Sequence, residues 1–421
     1  MQDTQTTATE RTAEKPTQGR CPIDHTTISQ QKTTRGLEPT GPAINQDEDG
    51  VWHVRGFEVA RAVLRSPDTK QAGFNADMVT GNTAASNRNQ PILYLDGKQH
   101  QQQRKMTARF FAPKVVDTQY RQVMEQLSDS LVKRLQTRKE ADLSRLSMTL
   151  AVRVAGEIVG LTDSRLPGMD KRLENFFAEA DFDKLKGQLK DKLQFIWSQR
   201  RMLEFFYLDV KPAIKARKRS PKQDVISHLV AQNYSDSEIL MEAVTFGAAG
   251  MITTREFISA ATWHLMEQPA LRAHYLAAPE EERYEILHEI LRLEPIVGNL
   301  LRRATADVKI EHEGTEFVIP AGALINVHIH GSNNDTVIVG DYPHVLQPER
   351  AIQGDHVPSM LMSFGDGVHR CPGAFVAIQE TDIFLTRLLA LEGLHVKQKP
   401  SVRWSALVTG YEIRHFILAV D

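Results

Sequence analysis

Apolar residues recur at spacings of three and four along much of this chain. The segments 123–135, 150–158, 189–206, 239–266 and 284–293 each keep them on one face, the periodicity of an amphipathic helix. The pattern over 239–266 is the longest. Ser235 or Ser237 stands where its cap belongs, Glu238 falls in the first turn, and Pro269 ends the run. A helix of about 30 residues spans on the order of 45 Å, so this one is expected to cross the molecule. Short apolar runs at 51–54, 309–310, 317–319 and 324–329, broken by Gly314, Pro320 and Gly322, read as strands. The expected architecture is mainly α with a small β region, α+β, in one domain over residues 36–421. The stretch 1–35 is rich in Thr, Gln, Lys and Glu and poor in aliphatics, which predicts a mobile polar tail.

Composition narrows the function by exclusion. Fifty-one Lys and Arg residues face 53 Asp and Glu, for a formal net charge of −2, so no global charge points to nucleic acid or to an anionic membrane. No run of about 18 apolar residues predicts a membrane span. The N-terminus lacks the apolar stretch of a secretory signal, and two cysteines cannot build a disulfide framework. Cytoplasmic residence is the expectation. Cys21 falls in the polar tail and is expected to be a free thiol.

The sharpest chemical signal surrounds the other cysteine. Phe364-Gly365-Asp366-Gly367-Val368-His369-Arg370-Cys371-Pro372-Gly373 is a glycine-rich loop that runs into the helical pattern 374–389. Backbone N–H groups and the positive end of a helix favour a thiolate where they converge on sulfur. Gly367 and Gly373 allow close backbone approach, Phe364 can cover one side, and His369 offers a nearby donor. A buried structural cysteine in a turn is the plainer reading of a lone Cys. A zinc site from His369 and Cys371 needs two more ligands, and no second pair stands at ligand spacing nearby.

This segment resembles the haem-binding loop of the cytochrome P-450 superfamily: Phe, two residues, Gly, any residue, His or Arg, any residue, Cys, any residue, Gly. Other segments resemble the same family in the same order over residues 40–421. Asp96 to Lys105 is similar to its third helix, with His100 and Arg104 four apart on one face. Arg302, before Arg303-Ala304-Thr305-Ala306-Asp307, matches its Arg-x-Ala-Thr-x-Asp propionate site. Glu289 and Arg292, with Arg350 in Pro348-Glu349-Arg350, match its buried Glu–Arg–Arg network, to which the resemblance assigns a structural role.

The resemblance implies the cytochrome P-450 fold with a long helix over a haem b cofactor, and Cys371 as axial iron ligand. It implies His100, Arg104, Arg302 and His369 as partners of the haem propionates, and Phe364, Gly365 and Gly373 as shaping the cysteine loop. On the oxygen side, Ala248-Ala249-Gly250-Met251-Ile252-Thr253-Thr254 resembles the family's Ala/Gly-Gly-x-acid-Thr-Thr/Ser segment. Ala249 and Gly250 are then the small residues that leave room for dioxygen, and Thr253 the hydroxyl that holds a water. Ile252 departs from the pattern because it cannot relay protons. Either ordered water with Thr253 suffices, or the chemistry is atypical: peroxide-driven, coupling or rearrangement. Arg255 and Glu256 face away from position 252.

The activity implied is insertion of one atom of O2 into a small, largely apolar organic substrate. Electrons are expected from a separate ferredoxin and its reductase, with Lys105, Arg109 and Lys114 as a basic docking patch or a solvated face. A monomer without nucleic-acid or membrane partners is expected. A non-catalytic haem-binding protein is the alternative from another class. Family position implies a substrate pocket lined by segments 74–93, 176–182, 243–250, 296–300 and 407–409, with Asn299 and Thr245 as polar anchors.

Overall fold

The computed structural model describes residues 29–33, 41–74, 89–177, 188–354, 356–405 and 409–421. The expected tail, Cys21 included, lies outside these except for residues 29–33. The long helix forms as anticipated but in three parts. Asp236–Phe246 and Thr253–Glu267 are α-helical, and Gly247–Ile252 between them opens into a wider π turn. Its start is a full capping box. The Glu238 N–H donates to Ser235 Oγ at 3.3 Å, and the Ser235 N–H donates to Glu238 Oε2 at 2.7 Å.

Past the π turn this helix is buried nearly all round, polar positions included. Ser259 and Thr262 send their hydroxyls back to the carbonyls of Arg255 and Ile258, at 2.9 and 2.7 Å. A hydroxyl spent in this way crosses the core without an orphaned donor. Helices Leu143–Val159, Glu280–Leu293 and Ala374–Leu389 pack around the central one. Together they hold the main hydrophobic core, which includes Leu146, Phe257, Ile290 and Phe384.

The β region is small and set to one side with a core of its own, built on Val54, Phe57, Ile325 and Val327. Five strands lie in the order Ile44–Gln46, Trp52–Val54, Leu324–His328, Asn299–Ala304 and Thr69–Gln71. Trp52–Val54 pairs in parallel with Leu324–His328, and the other pairings are antiparallel. Val308–His312 and Thr315–Ile319 form a separate hairpin that turns at Glu313 and Gly314, both at positive φ. Strands such as Thr69–Gln71 and Glu140–Asp142 carry almost no apolar alternation. Only pairing with distant segments makes them strands. No helix among the described residues is long and apolar enough to cross a membrane.

The pair Glu289 and Arg292 is the polar centre of the fold. Arg292 Nε donates to Glu289 Oε2 at 2.6 Å, and Arg350 Nε donates to Glu289 Oε1 at 3.0 Å. Arg292 Nη1 also reaches the carbonyls of Asn333 and Pro343 at 3.0 and 2.9 Å, so the network ties a helix to the chain leading toward the cysteine loop. Removing one partner of such a pair strands the others without water. Arg292→Leu is therefore expected to cost about 3–5 kcal/mol in chemical denaturation. Lys309→Ala, which breaks the exposed 3.7 Å pair with Glu316, should cost less than about 1 kcal/mol.

Candidate active site around Cys371

The cysteine loop is built by backbone contacts that only glycine tolerates. Gly367 sits at φ +67°, and a Cβ on it would lie 2.2 Å from the Leu64 carbonyl oxygen. The loop thus rests directly on the end of helix Phe57–Arg65. Asp366 caps the turn that follows by accepting the Gly367 N–H at 2.7 Å, and it takes Arg65 Nε at 3.0 Å. The Cys371 N–H donates to the Phe364 carbonyl at 2.8 Å, closing the loop, and helix Ala374–Leu389 begins just after Gly373.

Cys371 faces a cavity between this helix and the central one, and protein encloses it on its other sides. Burial pushes its thiol up, against the Gly373 N–H and the charges of Arg104 and Arg370, which favour the thiolate. The cavity walls are largely apolar, with Leu93, Ile158, Phe246 and Val376 among them. Ala249 and Gly250 of the π turn line it, as do Pro372 and Gly373 next to the sulfur.

Basic side chains gather at one edge. His100 and Arg104 of helix Gly97–Thr107 line the cavity together with His369. The rings of His100 and His369 stack with centroids 4.1 Å apart. His100 is buried, its Nδ1 has no partner, and burial with the nearby positive charges of His369 and Arg104 lowers it to about 4. Arg302 is buried as well, held by the Gln71 side chain and the Leu301 carbonyl, and burial lowers it to about 10. Arg104 donates to the Arg370 carbonyl. The acid among them is Asp96, 3.0 Å from His369 Nε2. No ion pair of Arg104 or Arg302 with a carboxylate forms among the described residues. Leaving buried cations without counter-charge is costly, so such a set suits a ligand with two carboxylates. A single thiol, apolar walls and an excess of donors at one rim fit haem in all three respects.

The oxygen-side segment differs in detail from the sequence-based expectation. The Thr253 hydroxyl donates to the Ala249 carbonyl at 2.6 Å, and the Thr254 hydroxyl to the Gly250 carbonyl at 2.7 Å. Both bonds belong to the π turn, but Thr254 is the one on the cavity wall. Ile252 is buried in the core. Beside Thr254 the wall carries a residue that sequence reasoning passed over. Glu380 is buried, its Oε2 finds no partner, and desolvation pushes its carboxyl well above the usual range. The neighbouring Thr254 hydroxyl works against this shift by favouring the carboxylate, but desolvation outweighs it. An acid inside the apolar run of helix Ala374–Leu389 was the available signal.

Of the substrate segments expected, 92–93 and 245–250 contribute walls: Ile92, Leu93, Thr245, Phe246, Ala249 and Gly250. Residues 75–88, 178–187 and 406–408 lie outside the described set. Segment 296–300 does not reach the wall, although the Asn299 side-chain carbonyl is buried without a partner.

Comparison with known proteins agrees with this geometry. The family model for cytochrome P450 matches residues 284–402. The chain is 25% identical over 365 residues to a putative cytochrome P450, YjiB, of Bacillus subtilis, covering 84% of this chain and 85% of that protein. It is 26% identical to the erythromycin C-12 hydroxylase of Saccharopolyspora erythraea, covering 83% of each. The crystal structure of the cytochrome P450 enzyme CYP109B1 from Bacillus subtilis superposes with a TM-score of 0.70 at 24% identity, over 90% of this chain and 96% of that one. A thiol-bearing cavity under a long helix accompanies these similarities. In sequence and in fold the chain resembles the cytochrome P450 family of monooxygenases.

The upward shift of the Glu380 carboxyl has a measurable consequence. Its folded pKa lies above the unfolded value near 4.5, so its contribution to stability is complete below that pH and is lost as pH rises toward the folded value. Glu380→Gln cannot titrate. Wild type should lose stability relative to this variant as pH rises from about 4.5, read by chemical denaturation at a series of pH values. Parallel curves would show that burial does not raise the carboxyl above its unfolded value.

Proposed function

We propose that Cys371 is the thiolate ligand of haem b in a monooxygenase acting on a small, largely apolar organic molecule. The observation that carries this reading is one cysteine facing an apolar cavity whose rim holds His100, Arg104 and His369, with buried Arg302 near enough for His100 to feel its charge and Asp96 as the acid on His369. When bound, the haem supplies reductive activation of molecular oxygen.

The roles of the chain follow from position. His100, Arg104, Arg302 and His369 hold and neutralise the two propionates. Phe364, Gly365, Gly367 and Gly373 keep the loop close around sulfur, and the Gly373 N–H bonds to it. Ala249 and Gly250 keep the wall of the π turn thin on the oxygen side. The apolar walls exclude water and select substrates by shape, with Thr245 on the wall available to a polar group. Electrons are assigned to a separate ferredoxin and its reductase, and the exposed Lys105, Arg109 and Lys114 offer an acidic partner a basic face.

Proton supply decides between ordinary oxygenation and atypical chemistry, because Ile252 offers no acid. Glu380 supports the ordinary reading, since desolvation raises its carboxyl and so favours a proton beside the Thr254 hydroxyl, within the same cavity. Thr253, the hydroxyl assigned by motif, and Thr254, the hydroxyl on the wall, are the two candidates for the water-holding role.

Purified protein should bind one haem with the red-shifted ferrous carbon monoxide band of thiolate ligation, and Cys371→Ala should abolish that band. Protein without stoichiometric haem would end this reading. A compound panel that shifts the ferric spin state then supplies a substrate for turnover. Thr254→Ala and Glu380→Gln are each expected to divert about tenfold more of the consumed electrons to peroxide than wild type. A larger effect from Thr253→Ala than from Thr254→Ala would return the role to Thr253, and product formation driven only by added peroxide would favour the atypical chemistry.

A further inference from the structure

The first turns of the central helix carry two carboxylates that grip the loop above the cavity. The Asn89 N–H donates to Glu238 Oε1 at 2.7 Å, and the Ile92 N–H donates to Glu242 Oε1 at 2.9 Å. Ile92 and the next residue, Leu93, line the cavity opposite Cys371. On the helix, Glu242 stands three and four residues before Thr245 and Phe246, and seven and eight before Ala249 and Gly250. All four of these are wall residues, so Glu242 continues the cavity-facing stripe upward. Its side chain is buried, and its second oxygen, Oε2, has no partner. Glu238 serves the capping box as well as the loop, whereas Glu242 has the Ile92 N–H alone.

We propose that Glu242 is a positioning residue that holds the Ile92–Leu93 roof over the cavity and so sets how readily an organic molecule passes beneath it. The inference rests on reading the cavity as the haem and substrate chamber. Loss of this one bond frees a loop that the 3₁₀ turn Ile92–Tyr94 otherwise presents as a closed surface.

The latch carries its own pH dependence. Desolvation pushes Glu242 up to about 8. Below that pH the neutral carboxyl accepts from Ile92 at little cost. Above it, a buried carboxylate has one N–H donor and an unpaired oxygen, a charge that is relieved when water enters and the roof lifts. No cation among the described residues opposes this. Glu238 lies one turn earlier on the same helix, and Tyr234 at the head of that helix feels both acids while taking a hydrogen bond from Gln103 of helix Gly97–Thr107. The loop brings its backbone and Tyr94, whose hydroxyl donates to the Phe74 carbonyl at 2.9 Å.

The test uses haem-loaded protein and 4-phenylpyridine, a bulky neutral ligand of ferric haem, with its association rate followed by stopped-flow absorbance. The carbon monoxide band is recorded first. Its absence defeats the haem reading, while its presence leaves the latch to be judged by rates alone. In wild type the rate should rise about tenfold as pH passes from about 7 to about 9.5, the change expected from losing one buried hydrogen bond. Glu242→Gln keeps an acceptor for Ile92 but cannot titrate, so it should stay slow across the range. Glu242→Leu removes the tie and should be fast throughout. A flat wild-type profile, a rise that survives in Glu242→Gln, or a Glu242→Leu rate as slow as wild type at about pH 7 each overturns the proposal. Should Glu242→Leu not fold, the comparison of wild type with Glu242→Gln still decides.

Discussion

Buried basic donors without matching acids are the constraint around which this molecule is arranged. His100 and Arg302 are almost wholly removed from solvent, Arg104 and His369 stand beside them, and Asp96 is the acid at hand. The four sit on three separate frameworks. Helix Gly97–Thr107 supplies His100 and Arg104, strand Asn299–Ala304 supplies Arg302, and the cysteine loop supplies His369. A chain that stabilised only itself would let such groups reach water or pair them. Here the backbone brings His100, Arg104 and His369 to one rim of the cavity, with Arg302 buried behind them. Under the proposed function a dianionic ligand meets this energetic cost, which would link folding to haem binding.

The rest of the architecture keeps that rim in register with Cys371. Glu289, Arg292 and Arg350 lock the chain that approaches the cysteine loop, and Gly367 seats the loop on the Leu64 carbonyl. The opposite wall is the central helix, whose π turn sends the hydroxyls of Thr253 and Thr254 back to carbonyls of the preceding turn. Opening a helix at that level costs regular hydrogen bonds, and the threonines offset part of the loss. The same turn keeps Ala249 and Gly250 on the wall, where larger side chains would fill the space. Structural and chemical demands therefore fall on the same few residues.

Three buried acids divide the labour near this helix in different ways. Glu256 accepts the Ile413 N–H and Arg414, so it is fully engaged in holding strand Gly410–Arg414 against the helix. Glu380 and Glu242 each keep one oxygen without a partner, and desolvation raises both. One stands at the level of Thr254 and the other at the level of the roof. The distinction between structural and functional acids lies in these unpaired oxygens, since burial is common to all three.

Much of this was legible in the sequence. Helical periodicity, the Ser235 cap and Pro269 bounded the central helix because capping and chain termination act over a few residues. The cysteine loop, His100, Arg104, Arg302 and the Glu289 network were picked out by resemblance to a family pattern; the structure bonds Glu289 to Arg292 and Arg350 and puts His100 and Arg104 on the cavity wall with Cys371. Strands such as Thr69–Gln71 were not, since their pairing partners lie far along the chain and their own side chains do not alternate. Which of Thr253 and Thr254 faces the cavity was equally beyond a linear reading, because the π turn shifts the helical phase between Gly247 and Ile252. Glu380 and Glu242 looked like ordinary helix acids in the sequence. Only the tertiary structure closed protein around them, and burial, which no local pattern encodes, is what changes their protonation and gives each its chemistry.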